Sequence, residues 1–286
     1  MYQKLLTTAK ELGFARCYAL PLEPLSRWGE AVIGEGQFAH ARDLVSDPRQ
    51  AYPSAKCILL LVYAYQPFQM GEKIPAYYLA SQRSYLAAVE FTKCLQEEGF
   101  LAERIHVPAR ALALQNGIGF AGKNGLLYLD EFGSRIVLQT VVTDACEPQP
   151  VVRGDEDRSC DSCGACAAAC PARAIDGENG LTPAKCLRAH MEKAPFPKWV
   201  EERMPGYLGC EICQSVCPKN AHLAVAEPSD EVREAFLMER LIAGDASAAR
   251  RLTGKNLSGG GKLTYQANCF KNQKCCAENG DPSPNL

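Results

Sequence analysis

The sequence predicts an α+β fold in which an N-terminal α/β sandwich (residues 1–150) precedes a cysteine-rich domain (151–225) and a helical C-terminal segment (226–286). Helical and strand-like patterns alternate in the first part, cysteines dominate the second, and a helical pattern returns in the third. A hydrophobic fraction of 47% and a charged fraction of 22% are typical of a globular protein with a substantial core.

The elements of the first part follow from the spacing of its apolar residues. The run over Cys57–Ala64 is apolar at nearly every position, which is typical of a strand buried on both faces. A long helix is predicted at 78–98, where Leu86 and Val89, then Phe91 and Leu95, recur three or four positions apart. The other predicted elements are helices at 2–12 and 110–116, a strand at 14–20, and two strands paired with each other at 126–129 and 135–142.

Less regular stretches separate and end these domains. Residues 147–159 are polar, contain proline and glycine, and mark the boundary before the cysteine-rich domain. A helix is predicted at 230–242, with Ser229 as its N-cap. Residues 258–262 form a predicted flexible loop, and the polar, proline-containing tail from Asn279 is expected to be poorly ordered.

Charge and hydropathy exclude several classes of protein. Lys and Arg number 31 against 33 Asp and Glu, so the net charge is −2 and the basic excess of a dedicated nucleic-acid binder is absent. No apolar run approaches the roughly 20 residues of a membrane span, and the N-terminus does not resemble a secretory signal. We therefore expect a cytoplasmic protein with no membrane partner. In that reducing compartment, 15 cysteines indicate metal binding rather than disulfides.

Two cysteine motifs dominate the second region. They read Cys160-x2-Cys163-x2-Cys166-x3-Cys170-Pro171 and Cys210-x2-Cys213-x3-Cys217-Pro218, with Cys186 between them. In two-cluster ferredoxins the fourth cysteine of such a run ligates the other cluster. The spacing therefore predicts a ferredoxin-like domain with two [4Fe–4S] clusters. The predicted ligands are Cys160, Cys163, Cys166 and Cys217 for cluster one, and Cys170, Cys186, Cys210 and Cys213 for cluster two.

A pair of zinc sites is the alternative interpretation of these cysteines, because zinc also accepts four thiolates separated by two-residue gaps. Three evenly spaced cysteines followed by a fourth and a proline favour iron–sulfur instead. Other cysteines have simpler interpretations: Cys17, Cys57 and Cys94 as core residues and Cys146 as a bystander. For the C-terminal group, a metal role is the minor alternative; this group comprises Cys269, Cys275 and Cys276.

A glycine-rich loop at 117–124 matches two nucleotide-binding patterns in part. It satisfies G-x-G-x-x-G and nearly satisfies G-x-x-x-x-G-K-[ST]. Both patterns require a strand before the loop and a helix after it, whereas here a helix precedes the loop and a strand follows it. Asn124 also lacks the hydroxyl that would bind magnesium. Two interpretations remain: backbone amides and Lys123 contact an anionic group of a cofactor, or the glycines only shape a helix-to-strand turn.

Three stretches together resemble the epoxyqueuosine reductase family. They are residues 47–67, the glycine loop with 133–134 and 143–144, and the eight-cysteine framework ending in 217–220. The similarity covers roughly residues 10 to 225. The resemblance implies an N-terminal domain that holds cobalamin, and it implies that loop residues line the cofactor pocket. The implied pocket residues are Gly117, Gly119, Gly122, Lys123 and Asn124.

The resemblance also implies a direction of electron flow. An external low-potential donor of the ferredoxin or flavodoxin type would reduce the outer cluster, and electrons would pass through the inner cluster to cobalt. The family acts on tRNA in queuosine biosynthesis.

The chain departs from the family pattern at three places. The family has an acid, its implied proton donor, where this chain has Ala109 before Arg110. A Tyr-His pair in the long helix is reduced to Tyr85 here. The C-terminal helical-repeat domain that helps to hold tRNA is expected to be missing. No catalytic residue is therefore assigned; Tyr85 and His106 are candidate proton sources, and His106 is equally interpretable as an ordinary surface residue.

These departures leave three hypotheses. The first is an iron–sulfur oxidoreductase with a corrinoid or related cofactor and an unidentified small-molecule or protein substrate. The second is a non-catalytic carrier that delivers low-potential electrons to a partner, for example a corrinoid protein that needs reductive activation. The third is a genuine epoxyqueuosine reductase, although the net charge of −2 and the expected loss of the repeat domain argue against tRNA as a partner.

Overall fold

The computed structural model of the protein describes residues 1–25, 45, 47–69, 74, 76–152, 160–177, 180–191, 194–254 and 261–278, with side chains up to residue 273. Its helices are α1 (Tyr2–Glu11), α2 (Pro48–Ala51), α3 (Ala76–Glu97), α4 (Ala109–Gln115), α5 (Ala165–Ala169), α6 (Leu187–His190), α7 (Lys198–Arg203), α8 (Ile212–Ser215), α9 (Asp230–Ala235), α10 (Met238–Ile242), α11 (Ser247–Thr253) and α12 (Lys262–Glu278). Its strands are β1 (Arg16–Leu20), β2 (Cys57–Ala64), β3 (Ala102–Arg104), β4 (Phe120–Ala121), β5 (Leu127–Tyr128), β6 (Ile136–Thr143), β7 (Ile175–Asp176) and β8 (Gly180–Leu181).

The first part of the chain is built on a four-stranded antiparallel sheet with the order β1-β2-β6-β3. β2 lies inside the sheet and pairs with β6 over its whole length, from Cys57 opposite Thr143 to Ala64 opposite Ile136. The first six residues of β2 are buried, as its continuous apolar run predicts, because helices or loops cover both faces.

Two helices cover one face of this sheet and a third lies on the other. α1 and α3 pack their apolar residues against one set of alternating strand residues, such as Leu59 and Leu61. α4 and the loops near it pack against the opposite set, such as Leu60 and Val142. Each buried leucine contributes about 1.5–3 kcal/mol. The predicted α/β sandwich is confirmed, as are the helices predicted at 2–12 and 110–116 and the strand predicted at 14–20.

The long helix α3 is confirmed, but only one of its two apolar pairs faces the core. Phe91 and Leu95 are buried, whereas Leu86 is 54% and Val89 is 40% exposed. The face that meets the sheet instead continues through Ala88, which is fully buried. Because residues on one helix face recur every three or four positions, a face that includes Ala88, Phe91 and Leu95 turns Leu86 and Val89 outward.

The predicted pairing of 126–129 with 135–142 is also wrong. β5 pairs with β4 in a small two-stranded sheet, while β6 joins the main sheet between β2 and β3. Among the described residues, Leu129 forms an isolated β-bridge with Gly133, which precedes the second stretch. β6 is apolar on both faces, so the interior of a covered sheet buries more of its surface than a hairpin would.

The helices after the cysteine-rich region share one core with it. The start of α3, α6, α7 and α9–α12 all contribute to this core, which includes the fully buried Leu241 and Leu263. The single helix predicted at 230–242 is wrong, because the chain breaks between α9 and α10. Phe236 is buried there, and its carbonyl accepts a hydrogen bond from the Tyr207 hydroxyl at 2.8 Å instead of continuing a helix. The predicted cap is present, since Ser229 Oγ accepts from Val232 N.

Several predictions fall on residues outside the described ones, namely 153–159 of the domain boundary, 258–260 of the flexible loop and the tail from Asn279. Among the helices that the structure does describe, none combines the length and apolarity needed to cross a membrane.

Candidate iron–sulfur site

The first cysteine motif wraps around the short helix α5. Cys160 and Cys163 lie in the turn before the helix, Cys166 lies within it, and Cys170 caps its C-terminal end. Pro171 follows Cys170 and cannot continue the helical hydrogen bonding. The backbone around these cysteines is lined by small residues, and a Cβ added at Gly164 would meet nothing within 4 Å. The turn therefore leaves room for a bulky inorganic group beside the backbone.

The second motif repeats this arrangement around α8. Cys213 lies inside the helix, while Cys210 precedes it and Cys217 follows it. Pro218 opens a 3-10 turn immediately after Cys217. α5 and α8 pack against each other, which brings the two motifs together. Cys186, from the segment between the motifs, is the N-cap of α6.

One group of thiols surrounds Cys166. Burial raises the pKa of the Cys166 thiol, and the neighbouring thiols of Cys160 and Cys217 raise it further. Cys163 belongs to the same turn, because its backbone N–H donates to the Cys160 carbonyl at 3.3 Å. The structure therefore brings a cysteine from the second motif to three cysteines of the first.

A second group surrounds Cys210 and Cys213. Burial raises the pKa of Cys210 to about 11, and Cys186 and Cys170 also raise it. Burial raises the pKa of Cys213 to about 12, with contributions from Cys210, Cys186 and Cys170. The backbone N–H of Ala174 donates to Cys170 Sγ at 3.2 Å, which suits a charged thiolate ligand.

These groups fit two iron–sulfur cubes in their number of thiols and in the small residues around them. A cube holds its four thiolates at separate corners, so each group places its cysteines around an open space rather than around one ion.

The N-terminal domain reaches the first group through Tyr128 on β5. The Tyr128 hydroxyl donates to Cys217 Sγ at 3.3 Å, and Asn124 Nδ2 donates to the Tyr128 oxygen at 2.8 Å. The ring of Phe120 stacks on that of Tyr128 with centroids 5.2 Å apart. Burial raises the pKa of Tyr128, so the hydroxyl stays protonated and remains a donor to sulfur.

A buried ion pair joins the N-terminal domain to the second group. Arg135, immediately before β6, donates to Glu211 Oε2 at 2.8 Å, and its side chain is 3% exposed. Glu211 lies next to Cys210, and Arg135 also donates to Ser215 Oγ at 3.2 Å. Removing one partner of such a pair leaves the other charge buried and uncompensated.

Gly133 allows a second close contact at this junction. It has a φ of +53°, and an added Cβ would collide with the side-chain oxygen of Asn220. That oxygen accepts from Ser134 N at 2.9 Å. The cysteine module is thus held against the sheet by a tight backbone approach as well as by charge.

The predicted cofactor residues of the glycine loop have partners within the protein. A Cβ at Gly119 would collide with the Tyr128 carbonyl, and one at Gly122 would lie 2.5 Å from the Tyr128 ring. Lys123 Nζ donates to the Asp161 carbonyl at 2.8 Å, and Asn124 is buried against Tyr128. Gly117 has a φ of +73° and ends the turn after α4.

These contacts support the interpretation of the loop as a helix-to-strand turn that docks on the cysteine module. Both polar side chains of the loop are engaged by the protein itself. The assignment of these residues to cofactor binding stays a prediction.

The candidate proton sources lie near the edge of the sheet. Tyr85 is 42% exposed on α3, and the Arg104 guanidinium lies 4.2 Å from its ring centroid. His106 is exposed, and its carbonyl accepts from Val45 N. Ala109 is the first residue of α4, and Arg110 after it donates to the Gly125 carbonyl. No catalytic role follows from these contacts.

The remaining cysteines largely have structural surroundings. Cys17 and Cys57 are buried, as predicted, and Cys94 is partly buried. Cys146 lies with Cys57 in the sheet core, their sulfurs 3.5 Å apart. Cys269 lies 3.5 Å from the Glu201 carboxylate. The side chains of Cys275 and Cys276 lie outside the described residues.

Sequence analysis missed the residues that connect the two domains. Tyr128, Arg135 and Glu211 contact or adjoin the cysteine groups although none is a motif cysteine. Glu211 offered one signal, since a carboxylate between two cysteines of the motif needs a cation nearby. Tyr128 and Arg135 offered none, because they are more than 70 positions from their partners.

Comparison with known proteins agrees with this geometry. The family described as a 4Fe-4S double cluster binding domain matches residues 159–220. An epoxyqueuosine reductase of Cyclobacterium marinum is 31% identical over 67% of this chain and 65% of its own length. That of Gloeobacter violaceus is 28% identical over 73% of this chain and 72% of its own length. That of Lactococcus garvieae is 40% identical, over 38% of this chain and 31% of its own length.

Solved structures share the fold. The epoxyqueuosine reductase of Bacillus subtilis, with its catalytic loop swung out of the active site, has a TM-score of 0.75 and 21% identity over 99% of this chain and 86% of that chain. An epoxyqueuosine reductase with an epoxyqueuosine-modified tRNA-Tyr stem loop has a TM-score of 0.74 and 20% identity, over 94% of this chain and 80% of that one.

The fold and the eight-cysteine module define an iron–sulfur protein that carries two [4Fe–4S] clusters. The chain belongs to the epoxyqueuosine reductase family. Its alignments cover 31%, 65% and 43% of the lengths of the epoxyqueuosine reductases of Lactococcus garvieae, Cyclobacterium marinum and Synechocystis, so the chain spans less than two thirds of these relatives.

Proposed function

We propose that this chain is an iron–sulfur reductase that passes single electrons through two clusters to an acceptor bound by its N-terminal domain. The observation that carries the proposal is the gathering of the motif thiols into two adjacent groups, one of which the N-terminal domain contacts through Tyr128 and Cys217. Two adjacent clusters transfer electrons through the protein only if a donor binds near one cluster and an acceptor binds near the other.

The ligand assignment is part of this proposal. Cluster one takes Cys160, Cys163, Cys166 and Cys217, and cluster two takes Cys170, Cys186, Cys210 and Cys213. The neighbours of Cys166 and of Cys210 support this crossed arrangement, since each group contains a cysteine from the other motif. Cys213 is also near Cys166, so the two cubes would be close to each other.

The order of the clusters follows from their contacts. The segment of cluster one meets the glycine loop and β5, through Lys123 with Asp161 and Tyr128 with Cys217. We assign cluster one as the inner cluster because the N-terminal domain contacts its ligand Cys217 directly, whereas the same domain reaches the second group through Glu211, the neighbour of Cys210. Cluster two is the outer cluster and receives electrons from a donor of the ferredoxin or flavodoxin type.

Cobalamin is the acceptor that family membership suggests, and the experiment below tests its binding.

Two observations bear on the substrate, and they point in different directions. Ala109 lacks the carboxyl group that would donate a proton, which favours a carrier or a different substrate. Against the expectation that tRNA is no partner, a structural relative that covers 94% of this chain binds a tRNA stem loop. Net charge alone is therefore a weak reason to exclude tRNA.

One preparation tests the reductase. The protein is purified and reconstituted without oxygen, its iron content is measured, and its spectrum is recorded with and without cobalamin. About eight irons per chain are expected from two four-iron clusters. Stoichiometric cobalamin in the base-off form supports the reductase, whereas full iron without corrinoid binding supports an electron carrier. Zinc in place of iron contradicts both.

A second experiment decides the substrate. The chain is expressed in a strain that lacks epoxyqueuosine reductase, and nucleosides from its tRNA are analysed. Conversion of epoxyqueuosine to queuosine at good expression identifies the family substrate. Persistent epoxyqueuosine alongside stoichiometric cobalamin binding indicates a reductase with another substrate.

A further inference from the structure

A basic groove lies beside the ligands of cluster two. Its volume is about 340 Å³, and its walls include Arg173, Lys185, Trp199 and Arg203. Arg173 and Lys185 are exposed, while Trp199 and Arg203 are half-buried. The groove belongs to the cysteine module and α7, and none of its lining residues comes from the N-terminal domain.

Two residues that line the groove are direct sequence neighbours of two proposed cluster ligands. Pro171 lines the groove and directly follows Cys170, and Lys185 lines it and directly precedes Cys186. Consecutive Cα atoms are about 3.8 Å apart, so a molecule that contacts Pro171 or Lys185 lies one residue away from a proposed ligand of the outer cluster. Electrons could pass between them without crossing the rest of the protein.

The groove is positive although the whole chain has a net charge of −2. None of the ion pairs within the described residues uses Arg173, Lys185 or Arg203. α7 contributes two carboxylates, and both are engaged elsewhere. Glu201 accepts from the Tyr265 hydroxyl at 2.6 Å, and Glu202 lies 3.8 Å from Lys198 Nζ.

The side chains that line the groove suit a protein partner. The Trp199 ring is held by an edge contact with His190, with centroids 4.9 Å apart, and its carbonyl accepts from Arg203 Nη1 at 3.3 Å. Partly buried tryptophan and arginine side chains are the residues that most often carry binding energy in protein interfaces. Electron-transfer encounters are small, below about 1,200 Å² in total, so one groove with its rim can supply much of the contact.

We propose that this groove is the docking site of an acidic one-electron carrier protein, and that cluster two accepts the electron there. The inference rests on the proposed function, which makes cluster two the outer cluster. The step transfers one electron from the reduced carrier to the oxidised cluster, with no bond formed and no proton moved. The positive groove attracts the acidic face of the carrier, and Trp199 forms the contact surface near the cluster.

The test is the rate of cluster reduction in the holoprotein. The groove variant combines Arg173→Asn, Lys185→Gln and Arg203→Gln; asparagine is chosen because residue 173 has a φ of +49°. The matched control combines Arg250→Gln, Arg251→Gln and Lys271→Gln, which removes the same charge from exposed sites on α11 and α12. Iron content confirms that both variants hold their clusters.

Reduction is followed by the loss of visible absorbance after anaerobic mixing with reduced flavodoxin, or with reduced methyl viologen, a small cation that needs no docking site. At low salt the groove variant should react with flavodoxin at least about tenfold more slowly than the control, and the difference should shrink as salt is added. Both variants should react equally with methyl viologen.

Equal flavodoxin rates in the two variants would overturn the docking site. An unchanged flavodoxin rate with weaker binding of a short RNA stem loop would show instead that the groove is an RNA surface. Because the assay measures cluster reduction alone, its failure leaves the reductase proposal untouched. Likewise, a protein that binds no corrinoid could still use this groove.

Discussion

The Tyr128 hydroxyl donates a 3.3 Å hydrogen bond to the sulfur of Cys217 and so connects the N-terminal domain to the cysteine module. Asn124 holds the phenol in place by donating to its oxygen at 2.8 Å. Hydrogen bonds to cluster sulfurs are one of the means by which a protein sets a reduction potential. The contact therefore has a consequence that can be measured without knowing the substrate.

Tyr128→Phe should make the potential of one cluster more negative. The reduced cluster carries more negative charge and gains more from the donor than the oxidised cluster does. A loss of about 1 kcal/mol corresponds to about 40 mV for one electron. Redox titration followed by electron paramagnetic resonance measures both clusters. Tyr63→Phe, which alters a tyrosine that packs against Phe14, is the control. Equal potentials in the two variants would show that the hydroxyl does not influence the cluster.

Arg135→Met should destabilise the protein strongly, because it leaves Glu211 partly buried without its cation. Breaking a buried pair in this way costs about 3–5 kcal/mol, which corresponds to a fall in Tm of roughly 5–8 °C in a protein of this size. Anaerobic thermal unfolding measures it. The double variant Arg135→Met with Glu211→Gln should recover part of the loss. A double variant as unstable as the sum of the two single variants would contradict the pairing.

Cys163→Ala should remove cluster one while the N-terminal domain still folds. Iron should fall from about eight to about four per chain, because one of two four-iron clusters loses a ligand. Circular dichroism should retain the strand signal of the main sheet. Cys94→Ala, in α3 and outside the module, serves as the control and should keep all its iron. Full iron content in Cys163→Ala would refute the ligand assignment.

Ala109→Asp should increase any activity on epoxyqueuosine, since it restores a carboxyl group at the position where the family has an acid. General-acid catalysis contributes typically 10²–10⁴-fold. An aspartate in the first turn of α4 is also compatible with the helix dipole. Queuosine in tRNA from a deficient strain is the readout. Ala109→Asn has nearly the same shape without the acid, and equal conversion by the two variants would exclude a proton donor at this position.

Local patterns correctly predicted the strands and helices whose formation depends on a single stretch of the chain. The apolar run over Cys57–Ala64 forms a strand whose side chains alternate between two covered faces of the sheet, which buries nearly all of them. The cap at Ser229 also depends only on local sequence, since its side chain accepts a hydrogen bond from the backbone N–H three positions away.

Predictions failed where a distant residue decides the outcome. β6 pairs with β2 rather than with the stretch just before it, because the central position buries both of its faces. The helix predicted at 230–242 breaks because Tyr207 binds the Phe236 carbonyl, which is 29 positions away. Leu86 and Val89 are exposed because the face of α3 that packs on the sheet is determined by the sheet.

The cysteine spacing alone predicts two iron–sulfur clusters, because the reach of most of these thiols depends on the few residues between consecutive cysteines. How the clusters connect to the rest of the molecule depends on tertiary packing. Tyr128 meets Cys217 across 89 positions, and Arg135 meets Glu211 across 76. Contacts over such distances exist only when the sheet and the module have packed together, so no local pattern can encode them.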